Sequence, residues 1–434
     1  MSSTSLRKNF SVTFIGMLVY SAGNFLMNIL LAKLSPENSA ARNLGIYQIG
    51  VTYSQPILAF TMMNLRAVYT TDIHHQFKFG TYFAVRLAMM GVAFAAYIAM
   101  APVARLDQIE AAAVLLTGVG LFFDALSDIY YGIHQLHDDL RPMSFSLGAK
   151  GILSPIFLAV GFGLTHQPLV AIAGSAAASG VVALVYDWPS AVKAMNGLKP
   201  PDTVTIYWNW AEMRQVARKA LPLGLSLLLG SLSLYLTRLV THKSLGKEAV
   251  GIFSAVALLP MIGNAAVTSL GQVLSPKLAR YWGTGDRASF LGTLAKLHVV
   301  ALAAGFIGVA GAFFFGDWLL QFFFKKSFSQ YRPELVLMLV AGTFEYLKVC
   351  QGVSLTAMRQ FGIQTPLMIV TLVVTYAAAV SLIPNGGVHG AVMAAILGSG
   401  AACIVFIVTN VWLIIIGAKH IGPANPSEAT PDGS

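Results

Sequence analysis

Charge and cysteine are both scarce in this chain of 434 residues. Charged side chains make up 11% of it and apolar residues 56%, whereas ordinary soluble domains have roughly 25% charged residues. The two cysteines, Cys350 and Cys403, lie inside apolar runs, without metal-ligand spacing or a disulfide framework. These shortages exclude a soluble enzyme domain, a disulfide scaffold and a cysteine-based metal site.

The motifs of nucleotide-driven and metal-dependent enzymes are absent as well. There is no G-x-x-x-x-G-K-[ST] sequence, and the pairs His74-His75 and His134/His137 have no further metal ligands near them. The net charge of +10 is spread through short loops, unlike the concentrated patch that binds nucleic acid. We therefore predict no catalytic residue, no metal, no cofactor and no nucleic-acid partner.

Long apolar runs are what the chain has in abundance. About 20 apolar residues cross a bilayer as a helix, and about twelve runs of that length occur, six on each side of a polar linker. The predicted spans are residues 10–32, 44–66, 82–104, 109–132, 145–164, 168–186, 219–240, 249–274, 293–315, 335–357, 366–384 and 388–416. They divide the chain into an N-terminal half (1–186), the linker (187–218), a C-terminal half (219–417) and a polar tail (418–434) that is predicted to be disordered.

The loops predict the orientation. With the N-terminus inside, the inner segments contain about twice as many lysines and arginines as the outer loops, as the positive-inside rule requires, so both termini are predicted to be cytoplasmic. In the linker, aromatic side chains precede cations: Tyr207, Trp208, Trp210, Arg214, Arg218 and Lys219. This order favours a helix in the lipid headgroup layer over a plain loop.

The two halves resemble each other. Gly45-Ile46-Tyr47 opens the second span and Gly251-Ile252-Phe253 opens the eighth, and each span then carries a proline, Pro56 or Pro260. Two repeated six-helix halves are a transporter architecture, with the substrate between them. We therefore predict an all-α polytopic membrane protein with about twelve transmembrane helices in two pseudo-repeated six-helix bundles around a central cavity.

Polar side chains within the spans are the candidate functional residues, because they are costly in hydrocarbon. Amides and a phenol form one group: Asn24, Asn28, Tyr53, Gln55, Asn64 and Asn264. Asn24 and Asn28 share a helix face, where they can either join helices by hydrogen bonds or line a lumen. Glu345 and Lys348, three residues apart, favour a structural pair that neutralises itself.

The fourth span carries two carboxylates one turn apart, Asp124 and Asp128. Two interpretations are open: mutual repulsion keeps a proton on one of them, which suits proton coupling, or cations from neighbouring helices pair with them. Lys150 is a candidate partner of Asp128. Arg66 and Arg86, with Lys296, can each reach lipid phosphate, but together they predict an inner vestibule with a positive field that suits an anionic substrate.

Five short sequence segments, in their order along the chain, resemble those of Wzx-type polysaccharide flippases. These flippases belong to the multidrug/oligosaccharidyl-lipid/polysaccharide (MOP) exporter superfamily, so the resemblance implies a MATE-like fold. The segments are Leu65–Asp72, Asp128–Gly132 with Gln135, Tyr186–Pro189, Leu245–Phe253, and Ser275–Leu278 with Gly285-Asp286. Two features depart from the family: Leu136–Leu140 is more acidic than expected, and Lys150 stands where arginine is more usual. A phosphate contact at Lys150 would lack the arginine fork.

The resemblance implies that the chain moves a polyprenyl-diphosphate-linked oligosaccharide repeat unit across the bacterial inner membrane by alternating access, for surface polysaccharide synthesis. The chemistry of the polar residues fits this substrate. Cations suit the diphosphate, and the candidates are Arg66, Lys33, Arg238 and Lys348. Hydrogen-bonding side chains suit the sugars, and the candidates are Asn24, Asn28, Tyr53, Gln55, Asn64 and Asn264; the candidates for ion coupling are Asp124, Asp128 and Glu345. The bilayer is a partner, and a polysaccharide polymerase or other assembly machinery is a further candidate.

Two other functions compete at this point. A cation-coupled exporter of drugs or metabolites has the same fold, but a cationic drug prefers an acidic cavity, and the basic excess argues against it. A membrane-embedded transferase or polymerase acts on the same lipid, but such enzymes have large extracytoplasmic loops. The longest predicted outer loop here is only about 316–334.

Overall fold

A computed structural model describes residues 3–72, 76–137, 139–196 and 204–420. In chain order its α-helices are α1 (Ser3–Leu34), α2 (Ala40–Met62), α3 (Leu65–Thr70), α4 (Phe79–Val103), α5 (Gln108–Leu136), α6 (Arg141–Thr165), α7 (Pro168–Val182), α8 (Trp188–Asn196), α9 (Trp210–Leu245), α10 (Lys247–Gly283), α11 (Arg287–Phe323), α12 (Arg332–Ala357) and α13 (Phe361–His420). A π-helical turn (Ala183–Asp187) joins α7 to α8, and a 3₁₀ turn (Lys326–Tyr331) precedes α12. The described ranges contain no strand. Most of the predicted disordered tail, from residue 421, and the His74-His75 pair lie outside these ranges.

The prediction of an all-α polytopic membrane protein is confirmed. Within the described ranges, ten helical stretches are long and apolar enough to cross a membrane. Ten rather than twelve are found for two reasons. The second predicted span, α2, is not among them, since it buries polar residues such as Gln48 and Ser54. The last two predicted spans both lie within α13, where they meet at a kink at Gly387 and so appear as one stretch.

Side chains at the helix ends set several boundaries. Asp107 accepts a hydrogen bond from the backbone N–H of Glu110, whose carboxylate accepts one from the N–H of Asp107, so α5 begins with a capping box. At the start of α9, the side-chain oxygen of Asn209 accepts hydrogen bonds from the backbone N–H groups of Ala211 and Glu212 and so caps the helix. At α11 the backbone N–H of Ser289 donates to Asp286, and this bond lowers the pKa of that exposed carboxyl.

The linker contributes to longer helices. The π turn carries α7 on into α8 as far as Asn196, and α9 begins at Trp210 and continues through the seventh predicted span. Trp188, Trp208 and Trp210 are each at least half exposed, as aromatic side chains at a membrane interface are. The backbone N–H of Tyr207 donates to the carbonyl of Gly80, so the linker packs on the start of α4.

The two halves meet at the end of the bundle opposite the linker. There the repeated glycines pack against each other: a Cβ added to Gly45 would lie 1.8 Å from the carbonyl oxygen of Lys247, and one added to Gly251 would lie 1.9 Å from that of Ala41. Lys247 precedes Gly251 by one turn, as Ala41 precedes Gly45, so the contact is reciprocal. Only glycine permits so close a crossing.

A polar network strengthens this contact. His242, near the end of α9, lies 3.3 Å from the carboxylate of Glu110 on α5 and 2.9 Å from the hydroxyl of Tyr53 on α2. Lys247 on α10 pairs with Asp107 and, at 3.5 Å, with Glu110. Glycine packing and ion pairs therefore hold the N-terminal and C-terminal halves together at this end.

Candidate transport cavity

A central cavity of about 700 Å³ lies between the halves. Its lining comes from α1, α2, α5, α6 and α7 of the N-terminal half and from α9 and α10 of the C-terminal half. Five of the predicted site residues are among the lining residues: Asn24, Asn28, Gln55, Asp124 and Arg238. Apolar side chains make up much of the remainder, and Leu18 and Ile262 are more than half exposed.

The amides on α1 serve both of the roles that their spacing allows. The side-chain N–H of Asn28 donates to the carbonyl of Asn24 at 2.8 Å, and the amide of Gln48 on α2 donates to Asn28 Oδ1. Asn28 therefore joins α1 to α2, while all three residues also line the cavity. These amides place hydrogen-bond donors and acceptors in the cavity wall.

Arg238 on α9 is the only cation among the central lining residues without a carboxylate within 4.0 Å in the described part of the chain. It is 5% exposed, its Nε has no hydrogen-bond partner, and its guanidinium lies 5.5 Å from the ring centre of Tyr235. A buried charge without a partner is costly. An anionic group in the cavity would supply that partner.

The other cation of the central cavity, Lys150 on α6, is fully engaged. Its ammonium donates to Asp124 Oδ1 at 2.9 Å and to the hydroxyl of Ser127 at 2.7 Å, and it lies 3.9 Å from Asp187. The phenol of Tyr20 donates to the other oxygen of Asp124 at 3.2 Å. The predicted pair of Lys150 with Asp128 was wrong, because Lys150 lies beside Asp124, one turn away along α5.

Asp128 has two arginine partners of its own. Arg86, whose side chain is fully buried, lies 2.9 Å from it, and Arg66 lies 3.4 Å from it. Three carboxylates (Asp124, Asp128, Asp187) thus balance three cations (Lys150, Arg66, Arg86). Two interpretations of Asp124 and Asp128 were open, and the structure agrees with pairing to cations from neighbouring helices. These cations offset the repulsion between the two carboxylates.

Several predicted residues lie outside the central cavity. Lys33 is exposed and donates to the carbonyl of Gln321 at 2.8 Å. Tyr53 contacts His242 in the network between the halves. Asn64 lies just before α3 and has a left-handed backbone (φ 48°). Arg66, in the first turn of α3, pairs with Asp128. None of these four is among the residues that line the cavity.

A second, smaller cavity of about 150 Å³ lies within the C-terminal half, between α9, α10, α12 and α13; we call it the C-half pocket. It contains the remaining three predicted residues, Asn264, Glu345 and Lys348. Glu345 and Lys348 form an ion pair, as their spacing favoured. Arg238 also lines this pocket, together with Met261, so the pocket adjoins the central cavity.

Some cavity residues carried no clear sequence signal. Gln48 lies in α2 close to predicted residues, and its position within an apolar run was the signal that could have found it. Tyr20 and Tyr235 could not be distinguished from ordinary interfacial or core tyrosines, because only the fold turns them toward Asp124 and Arg238. In the described part of the chain, no group of three metal-ligating side chains occurs.

Known proteins share this sequence pattern and this fold. Residues 6–282 match the family described as "Polysaccharide biosynthesis protein". The capsular polysaccharide biosynthesis protein CapF of Staphylococcus aureus is 22% identical over 394 residues, which are 89% of this chain and 94% of that protein.

Among solved structures, an inward-facing multidrug resistance MATE transporter of the MOP superfamily matches 95% of this chain and 100% of its own, with a TM-score of 0.75 and 14% identity. The lipid II flippase MurJ, in an inward closed conformation, matches 95% of this chain and 93% of its own, with a TM-score of 0.72 and 11% identity. At these identities the structural matches establish the fold alone, and the predicted MOP-type architecture is confirmed.

Proposed function

Because the chain belongs to the polysaccharide biosynthesis protein family, we propose that it moves a polyprenyl-diphosphate-linked oligosaccharide across the bacterial inner membrane. The cavity between the halves is the path of the polar head group, and the lipid tail stays in the bilayer. Alternating access follows from opening one end of the bundle while the other is held closed. The capsular relative and the flippase fold both support this assignment.

The single observation that carries the proposal is the unpaired guanidinium of Arg238 in the cavity between the halves. A diphosphate offers several anionic oxygens, and an arginine can bind two of them with its planar fork. When substrate is bound, its diphosphate is therefore the partner that the buried charge of Arg238 lacks. The other cations near this cavity already have carboxylate partners, so they contribute to the field rather than to direct binding.

The charge of the central cavity also bears on the alternative, a drug exporter of the same fold. In the part of the chain that the structure describes, Asp124 is the one carboxylate that lines the central cavity, and Lys150 is bound to it. A cationic drug would meet the unpaired Arg238 without a free carboxylate. The cavity therefore favours an anionic ligand over a cationic one.

The test is complementation of a strain in which this gene is deleted and no other flippase serves the same glycan. In the deletion strain without a rescuing gene, lipid-linked repeat units should accumulate inside the cell and surface polysaccharide should disappear. Arg238→Gln should lower the flipping rate about 10- to 150-fold, since a hydrogen bond to a charged group contributes roughly 1.5–3 kcal/mol. Arg238→Lys, which keeps the charge without the fork, should lie between this variant and wild type.

The matched control is Arg42→Gln, which removes an exposed arginine of α2 that is not part of the cavity lining. It should restore surface polysaccharide as well as the wild-type gene does. Normal surface glycan in the deletion strain would refute the proposed function. A wild-type flipping rate in Arg238→Gln, at equal protein level, would refute the role of Arg238.

A further inference from the structure

The C-half pocket has features of a ligand site that the ion pair inside it does not explain. Its two unpaired polar atoms are of opposite kinds: the amide oxygen Oδ1 of Asn264 is buried without a donor, and Nε of Arg238 is buried without an acceptor. Buried polar atoms normally have partners. A ligand that carries both donors and acceptors would satisfy both atoms.

The walls of the pocket point to the same ligand chemistry. Thr371, Thr375 and Ser399 donate their hydroxyl hydrogens to backbone carbonyls one turn earlier, at 2.8–3.2 Å. Their oxygen lone pairs stay available as acceptors. On another side stands the buried ring of Tyr346, whose hydroxyl donates to the carbonyl of Pro260 at 2.8 Å. Hydroxyl acceptors on one wall and a packed apolar wall opposite suit the hydroxyl groups of a sugar.

The charge of the pocket excludes other ligands. Glu345 and Lys348 neutralise each other, so among the described residues that line the pocket Arg238 is the one charged side chain without an ion-pair partner. These residues offer no free carboxylate to a metal ion, and a cationic drug would be repelled by Arg238. The pocket therefore fits an uncharged polar group that lies directly beside an anion.

We propose, on the basis of the proposed function, that the C-half pocket binds the sugar that is bonded to the diphosphate, with Asn264 Oδ1 accepting a hydrogen bond from it. In such a lipid the first sugar is attached directly to the phosphate. Arg238 lines both the central cavity and the pocket. When Arg238 holds the diphosphate, the attached sugar comes next to the pocket and the later sugars stay in the central cavity.

The test compares two probes on the purified full-length protein: polyprenyl diphosphate without sugar, and the same lipid with one neutral hexose. Wild type should bind the hexose lipid more tightly. Asn264→Leu should weaken binding of the hexose lipid about tenfold, the loss that roughly 1.4 kcal/mol gives, and leave the sugar-free lipid unchanged. Arg238→Gln should weaken binding of both.

A second variant guards against misfolding of the first. A Cβ added to Gly398 would lie 2.4 Å from the hydroxyl oxygen of Thr375. Gly398→Ala should therefore displace the Thr375 side chain and weaken binding of the hexose lipid alone. Its control is Gly352→Ala, where an added Cβ meets nothing within 4 Å. Equal affinity of wild type for the two probes would overturn the sugar site alone. Failure of wild type to bind either probe would overturn the proposed function as well.

Discussion

The crossing of Gly45 and Gly251 allows a sharp prediction about how the halves are held together. A Cβ at Gly45 would lie 1.8 Å from the carbonyl oxygen of Lys247, whereas ordinary contacts begin at 3.4 Å. In Gly45→Ala the two helices must therefore move apart by about 1.6 Å. Overpacking of this kind costs typically about 1–3 kcal/mol, which weakens the closed arrangement about 5- to 150-fold.

The assay is labelling of a single cysteine in the cavity by a membrane-impermeant maleimide. Val51→Cys, in a background where Cys350 and Cys403 are serine, puts the reporter in the cavity lining. In intact cells, under the predicted orientation, the reagent approaches the cavity from the end where Gly45 and Gly251 cross. Labelling should be faster in Gly45→Ala, and equally so in Gly251→Ala.

Two comparisons make the result decisive. Gly91→Ala is the control, because an added Cβ on that glycine of α4 meets nothing within 4 Å. The double variant Gly45→Ala/Gly251→Ala should cost less than the sum of the single ones, since both act on one crossing. The same labelling rate in Gly45→Ala as in Gly91→Ala would show that this contact does not keep the cavity closed.

Two further predictions concern the charged cluster of the N-terminal half. If Asp124 couples transport to protons, Asp124→Asn should abolish the pH dependence of flipping in proteoliposomes while the protein stays folded; a pH profile like that of wild type would contradict the coupling role. Arg86→Met should lower the free energy of unfolding by roughly 3–5 kcal/mol, because it removes one partner of a buried ion pair with Asp128. Thermal unfolding in detergent measures this loss. The control is Arg141→Met, which removes the exposed partner of Asp139 and should change the free energy of unfolding by less than about 1 kcal/mol. Equal effects of the two variants would refute the importance of burial.

The helices were predictable because a bilayer sets their length and apolar composition. The exceptions have physical causes. α2 is surrounded by other helices and so needs no apolar surface toward lipid, and the last two spans join directly at a kink at Gly387. The pair Glu345–Lys348 was predictable too, since residues three apart on a helix meet whatever surrounds them.

The sites were predictable only in part, for a reason that Tyr53 and Gln55 illustrate. Both are polar residues of α2, two positions apart, and their side chains therefore point to different sides of the helix. Gln55 lines the central cavity, whereas Tyr53 contacts His242. Sequence alone could name both as candidates but could not tell which side of α2 meets the cavity.

By itself the sequence determined the class of protein and the polar residue types within its spans, because both follow from local composition and spacing. Only the tertiary structure decided which charges are free. Among the described residues, partners far apart in the chain supply carboxylates to Lys150, Arg66 and Arg86 but none to Arg238, and Gly45 packs against Gly251. Pairing of buried charges depends on which helices are neighbours, and that is a property of the folded bundle.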